Sequence, residues 1–358
     1  MFEKLKRKRK KNRELKKYKN KITKNFKDLK NLRKLTKEQE KEVQDFYQGM
    51  IGQKIPLYSH VYFYSRTGVF NKAYVPTNIY ACEILPKAND HSLLKAYGDK
   101  NMCDLLFPGE NIVHSILKNI NGYYYFEGKP VSEDEAVLLC RNLDNVIIKP
   151  SRKSEGKGVQ LFSVKDGITT LAGMSIGQVF KEYKKDFLIQ EWVKQHARMA
   201  ALNPTSVNTM RILSYRSGME VLIIYSVVRI GRTGSVIDNQ CAGGISTTID
   251  KEGKLGKLAF GGFSNDNVEK TDTGITLDGY QLPSYDKAIE MVKRLHLRLP
   301  FFNLVGWDVA IQEDGNPVLI EFNTNPGLSQ SAFGSGMGEY TERIIRELWP
   351  RPNTWFKD

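Results

Sequence analysis

Cysteine is scarce in this 358-residue chain: Cys82, Cys103, Cys140 and Cys241 are widely spaced and form no C-x-x-C pair. That leaves buried, reduced thiols in a cytosolic protein as the expectation. Long apolar runs are also missing. The longest, about Val221–Val228, is far short of the ~20 residues a spanning helix needs. The N-terminus is basic but has no apolar core segment, so no secretory signal is expected. No G-x-x-x-x-G-K-[ST] occurs, which excludes a Walker A loop, and Gly156 and Gly158 are followed by Leu161 where a Rossmann fingerprint needs a third glycine. No Ser–His–Asp or Cys–His pattern is present, and His60, His91, His114 and His296 have no evident partner in sequence.

What is present describes a folded chain. Hydrophobic residues make up 41%, with 17 Tyr and 17 Phe, so disorder is excluded. The length suits two or three domains with real cores. Charge is unevenly spread. Residues 1–42 hold 19 of the 54 Lys and Arg and 6 of the 40 Asp and Glu, a net +13 of the chain's +14. The body is therefore close to neutral and the tail is basic. Within the tail Tyr18, Ile22, Phe26, Leu29, Leu32 and Leu35 recur at three- and four-residue steps, one stripe of a helix. Such a helix fits an anionic membrane surface first. A nonspecific nucleic-acid arm is the least favoured partner, because the body has no basic-aromatic stripe. The third option is an arm that packs its stripe on its own domain.

Past the tail, residues 52–145 mix a strand-like run (His60–Tyr64) with helical ones (Ile112–Asn119 and Ser132–Asn142). Strands are expected at Val146–Pro150, Val159–Val164, Phe187–Val193, Arg211–Tyr215, Glu220–Arg229 and Gly243–Ile249. A helix is expected over Tyr285–Leu299, capped by Ser284 and stopped by Pro300, and a final one over Glu339–Leu348 after a Gly/Ser loop at 329–338. Regular βαβ alternation is absent, which favours an α+β fold.

The stretch GWDVAIQEDGNPVLIEFNTNPG, Gly306–Gly327, reads as a hairpin. With Asp314-Gly315 as a two-residue turn, Glu313 faces Asn316, Ile311 faces Val318 and Asp308 faces Glu321. Asn323 shares the face of Glu321. An odd-length loop would break this register. Pro317 cannot donate to a ladder, which places its strand at an edge. Two carboxylates directly opposite repel unless a cation lies between them, and with an amide oxygen they are hard ligands of the kind Mg²⁺ takes. A solvated polar face remains the alternative.

Upstream, Lys149 ends the strand VIIKP, and SRKSEGKG follows (residues 151–158), rich in Gly, Ser and Lys. Glycines let backbone N–H groups approach a phosphate, and lysine adds a compact charge. A surface hairpin turn would explain the loop equally well, and a partly buried edge would explain Gln190-Glu191. The order of the pieces is what raises them: a phosphate-type loop, a strand, a basic strand pair, then the carboxylate hairpin.

With these segments the chain resembles ATP-grasp proteins, most closely the sugar-transfer-associated group, over roughly Asp99–Arg346. The resemblance implies an α+β ATP-grasp fold, two α+β lobes sandwiching ATP, with an N-terminal α/β region and a basic helical tail. The implied boundaries are 1–45 for the tail, 46–145 for the N-terminal region, 146–200 for the small lobe and 201–358 for the large lobe. Lys100 and Lys149 match the lysines that hold ATP phosphates. Ser154 to Gly158, with Lys157, match the lid over the triphosphate, and Gln190, Glu191 and Val193 match the adenine hinge with His196 near the ribose. Asp308, Glu321 and Asn323 match the metal set, so ATP and Mg²⁺ are the implied cofactors. The middle of the chain is similar to ATP-grasp glutamate ligases: Asn208-Thr209-Met210-Arg211, then Arg229, then Asn239 five residues before Gly244. Those ligases usually place a basic residue before the Gly pair, where this chain has Ala242.

The resemblance implies an amide-forming ligase working through an acylphosphate, with Arg211, Arg229 and Asn239 clamping a carboxylate or phosphoryl oxygen. The implied substrates are a small or glycan-linked carboxylate and an amine, and the implied setting is the modification of a cell-surface polysaccharide. The protein would be cytoplasmic, with its tail at the inner membrane face. Two alternatives stay open: an ATP-grasp kinase acting on a hydroxyl, and a basic-armed polyanion binder without activity.

Overall fold

The computed structural model describes residues 2–351 except 25, 27, 28, 30, 31, 155, 262–266, 331–333 and 335. Two seven-stranded sheets organise it. The first contains β1 (Ser115–Ile120), β2 (Tyr123–Phe126), β3 (Lys129–Val131), β4 (Leu143–Pro150), β5 (Gln160–Lys165), β6 (Ile168–Thr169) and β7 (Phe187–Glu191), in the order β3-β2-β1-β7-β4-β5-β6. The second contains β8 (Met210–Ser217), β9 (Glu220–Ile230), β10 (Ile245–Ile249), β11 (Ala259–Gly261), β12 (Asn267–Val268), β13 (Leu304–Ile311) and β14 (Pro317–Asn323), in the order β12-β11-β10-β9-β8-β13-β14. Paired neighbours in both sheets run antiparallel, as an α+β fold requires.

Helices cover these sheets because their apolar faces need partners. Glu133–Leu139 and Ile176–Tyr183 start in capping boxes, Ser132 with Glu135 and Ser175 with Gln178. They bury Ala136, Ile176, Val179 and Phe180 against Val146, Ile148 and Phe187 of the first sheet. The second sheet is covered on both faces. Helix Tyr285–His296 places Ala288, Met291, Val292 and Leu295 on one face, against Ile212 and Trp307. Helices Lys37–Ile51 and Thr341–Leu348 cover the other, against Leu213, Tyr215 and Val227.

Several expectations give way to tertiary packing. His60–Tyr64 lies within a helix, Tyr58–Thr67, closed by Gly68 at φ 75°. It buries Ser59, His60, Tyr62 and Phe63 on one side, and that burial overrides the strand preference of its aromatic residues. Ile112–Asn119 is not helical. Its second half forms β1, whose central residues are buried on both faces between β2 and β7, so it lacks the alternation that marks a half-exposed strand. Ser284 does not cap its helix: it sits at φ 49° and its side chain makes no capping bond. The expected division at 145/146 falls inside the first sheet, because β1 pairs with β7. The division at 45/46 falls within helix Lys37–Ile51.

The basic tail is a helix, Phe2–Lys24. The C-terminal end of its stripe turns inward. Ile22 is buried with Tyr62, Phe63 and Tyr74, Leu29 packs beside them, and Phe26 stacks on Tyr62 at 5.9 Å. Those residues are therefore not available to a membrane, although Leu32 remains exposed. No helix among the described residues is long and apolar enough to cross a membrane. Cys82 and Cys140 are buried and form no disulfide. His60 and His296 are core residues, and His114 meets Glu127 at 3.0 Å.

Candidate active site

The two sheets face each other across a cleft. One wall comes from β4, β7 and the loop after β4; the other from β9, β13, β14 and the loop after β9. β14 is the edge strand of its sheet, as Pro317 requires.

The hairpin places Asp308 opposite Glu321, as the sequence suggests, but by another route. The turn is a three-residue loop: Gln312 N donates to Asn316 O at 2.9 Å, and Gly315 takes φ 80°. This odd loop slips the register by one, so Ile311 faces Pro317 and Ala310 faces Val318. A bulge then restores it. Val309 faces Leu319 and Asp308 faces Glu321, leaving Ile320 as the extra residue. Bulges of this kind re-aim side chains, and Ile320 lines the cleft.

The apolar lining of the cleft comes from Val113, Ile147, Trp192, Val193, Val207 and Ile320, with Gln190 and Glu191 of β7. Gln190 is buried and anchored, its Nε2 donating to Val113 O at 3.2 Å and Ser115 Oγ at 3.0 Å. Lys100, Lys149, Lys153 and Lys157 line the same space. Lys149 projects from the end of strand β4 and is only 7% exposed. Burial pulls its pKa down to about 8, reinforced by Lys100 and opposed by Glu321. Lys100 Nζ lies 3.4 Å from Glu321 Oε2.

The opposing wall carries a dense charge network. Arg211 grips Asp308 at two points, Nε to Oδ1 at 2.5 Å and Nη2 to Oδ2 at 2.6 Å. Arg229 Nη1 approaches the same carboxylate at 3.3 Å. Asp308 is 3% exposed, and burial alone would raise its pKa; Arg211 and Arg229 outweigh that and hold it at about 2. The two arginines thus favour the ionised form of Asp308. Asp238 takes two bonds from Thr209 on Oδ2, from N at 2.9 Å and from Oγ1 at 2.5 Å. Burial lifts its pKa to about 6 against the pull of Arg229.

Most residues singled out from sequence therefore converge. Lys100, Lys149, Ser154, Lys157, Gln190, Glu191, Val193, Arg229, Asn239, Asp308 and Glu321 all line the cleft. Asn323 lines a smaller adjoining cavity that shares Lys100 and Glu321. Arg211 stands behind Asp308, with two arms of its guanidinium already engaged, which corrects its expected role as a free clamp. His196 stays outside the cleft: its Nδ1 accepts from Arg198 N at 3.1 Å and caps a short helix. Gly158 faces away, against Pro150. Glu155 of the expected lid lies outside the described residues. Lys153, Thr209, Ile237 and Asp238 line the cleft without having been singled out. Lys153 and Asp238 adjoin flagged residues, and their neighbourhood was the only available signal.

No group of three His, Cys, Asp or Glu side chains suited to a metal occurs among the described residues. Asp308, Glu321 and Asn323 nevertheless fit Mg²⁺ by donor type. A carboxylate offers about four lone-pair sites, so Asp308 can keep its arginines and still accept a cation.

No curated protein matches the chain. Among solved structures it is similar to the L-amino acid ligase from Bacillus licheniformis, at 9% identity over 73% of this chain and 50% of that one, with a TM-score of 0.40. It is also similar to the D-alanine–D-alanine ligase from Bacillus anthracis, at 15% identity over 72% of this chain and 69% of that one, with a TM-score of 0.41. A third likeness is the biotin carboxylase domain of the Hydrogenobacter thermophilus 2-oxoglutarate carboxylase with MgADP, at 11% identity over 73% of this chain and 47% of that one, with a TM-score of 0.44. The chain thus spans about half the length of two of these three. The family described as "sugar-transfer associated ATP-grasp" matches residues 81–345. With that match over most of its length, the chain belongs to the sugar-transfer associated ATP-grasp family, within a superfamily of ATP-dependent ligases and some kinases.

Proposed function

We propose that the protein is an ATP-dependent ligase that joins a carboxylate to an amine, with Mg²⁺ as its resident metal. The observation that carries this reading is the make-up of the cleft: apolar residues beside Gln190 and Glu191, four lysines, and Asp308 and Glu321 from the β13–β14 hairpin. The apolar lining beside Gln190–Val193 suits the flat face of adenine. The lysines suit a triphosphate, whose charge they neutralise as it shifts during transfer. Asp308, Glu321 and Asn323 would hold the metal, which supplies Lewis-acid stabilisation of the phosphoryl oxygens when bound.

Arg229 and Asn239 line the same cleft and suit the substrate carboxylate. One carboxylate oxygen attacks the γ-phosphorus while the bond to the ADP oxygen breaks, leaving an acylphosphate and ADP. The amine nitrogen then attacks the acyl carbon, the C–O bond breaks, phosphate departs, and the nitrogen loses a proton. No nucleophilic side chain is needed, in keeping with the lack of any Ser–His–Asp or Cys–His set. The description of the family supports a glycan-linked substrate and a role in modifying cell-surface polysaccharide. The outward face of the tail helix, with Arg9, Arg13, Lys16, Lys17 and Lys19 exposed, supports contact with an anionic inner-membrane surface by charge rather than by insertion.

The test is ³¹P NMR of the protein with Mg-ATP and a pool of amino acids and amino sugars. ADP and free phosphate that form only when carboxylate and amine are both present support the ligase. A new phosphoester resonance makes the protein a kinase instead.

A further inference from the structure

Lys100 reaches the cleft from outside the two sheets. It stands on a single 3-10 turn, Lys100–Met102, capped by Asp99, whose Oδ1 accepts from Asn101 N at 3.1 Å. This turn is fastened to the loop that leaves β4. Lys100 N donates to Ser151 O at 3.0 Å, and Lys100 Nζ donates to Lys153 O at 2.7 Å. Asp99 is 4% exposed and turns its other oxygen to Arg152, whose Nε donates to Oδ2 at 2.8 Å. Arg152 also lies 3.4 Å from Asp186, just before β7, whose backbone oxygen takes Ser151 N at 2.7 Å. Four residues past Arg152 the chain reaches Gly156 of the lid. One short loop thus holds Arg152 outside the cleft and delivers Lys153 and the lid into it.

We propose that Asp99 and Arg152 are positioning residues for the nucleotide: their ion pair locks the turn that carries Lys100 to the root of the lid. The proposal rests on the ATP-site reading above. Neither side chain lines the main cleft, so neither touches phosphate there. A pair with one partner as exposed as Arg152 adds little to global stability. Its effect is instead local. Lysine is a flexible four-carbon stem, and four such stems meet a triphosphate in one geometry only if their backbones are fixed relative to each other. The Asp99–Arg152 bond joins the backbone carrying Lys100 to the one carrying Lys149 and Lys153. It is the ion pair in that set of fastenings, beside the ammonium bond from Lys100 to Lys153 O, and charge-assisted bonds are the stronger ones.

The test uses the full chain and Mg-ATP. Arg152→Gln and Asp99→Asn are each expected to weaken Mg-ATP binding about tenfold, equivalent to about 1.4 kcal/mol. Each should also speed hydrogen exchange in the peptide 153–159 without nucleotide. The double variant should lose no more than the worse single one, because both substitutions remove the same contact. Arg152 is exposed, so Arg152→Gln should fold with an unchanged melting temperature even if Asp99→Asn does not. A purely structural pair would lower that temperature and leave affinity intact. Unchanged Mg-ATP affinity in Arg152→Gln overturns the proposal, as do additive losses in the double variant. If the unmodified chain fails to bind Mg-ATP, the ATP-site reading falls and the nucleotide role of the pair falls with it, an outcome distinct from a variant that binds normally.

Discussion

Gly156 on the lid lies against Ile237 of the facing lobe with no room for a side chain between them. A Cβ at Gly156 would stand 2.8 Å from Ile237 Cγ2, and the glycine sits at φ 72°. Ile237 immediately precedes Asp238 and Asn239, so the lid is in contact with the loop that carries both. Gly156→Ala meets the left-handed backbone penalty of about 1–2 kcal/mol and pushes the lid off this contact. Mg-ATP affinity should fall about tenfold, by titration calorimetry. An unaltered affinity would show that the lid does not use this contact.

Glu321→Gln removes a charge from the proposed metal set without changing shape, and takes away the carboxylate 3.4 Å from Lys100. Turnover of Mg-ATP should fall by on the order of 100-fold or more, given the several kcal/mol a metal contributes to such transfers. The circular dichroism spectrum should not change. Near-normal turnover would remove Glu321 from the metal site.

Arg211→Met leaves Asp308, 3% exposed, with Arg229 and its longer contact as the remaining arginine partner. Removing one partner of a buried pair costs about 3–5 kcal/mol, and Arg229 should hold the loss near the lower end. Urea denaturation measures it. A loss below about 1 kcal/mol would mean that Arg229 alone suffices.

Nucleotide binding should depend on pH through Lys149, whose pKa burial lowers to about 8. With its ammonium as the proposed phosphate ligand, Mg-ATP affinity should weaken as pH rises through 8. Stability should move the other way. Between about pH 8 and 10.5 the unfolded chain binds the proton that folded Lys149 has released, so stability contributed by this group rises with pH over that window. Affinity measured from pH 6.5 to 9.5 should therefore decline, and a flat profile would exclude Lys149 from the phosphate site.

Much of the site was legible because local chemistry marks it. Lys149 before a proline, the glycines of the lid and the carboxylates of the hairpin all announce themselves by residue type and spacing. The elements that failed did so where a distant partner decides. His60–Tyr64 has the β-branched and aromatic residues of a strand, yet helix is what buries Tyr62 and Phe63 against Tyr74 and Ile22. Ile112–Asn119 reads as helical because a strand buried between β2 and β7 lacks alternation.

By itself the sequence determined the strands that build the cleft walls (β4, β7, β9, β13 and β14), the order of Gly/Lys-rich loop, Gln190 strand and carboxylate hairpin, and the convergence of Asp308 on Glu321. Side-chain type and period act over a few residues, and these features need no more. Only the tertiary structure decided how Asp308 and Glu321 meet, through an odd loop repaired by a bulge at Ile320. It also decided that Arg211 serves Asp308, that the tail turns part of its apolar stripe inward, and that Asp99 and Arg152 join two distant segments. Each depends on contacts between residues far apart in the chain, where burial and charge pairing outweigh local preference.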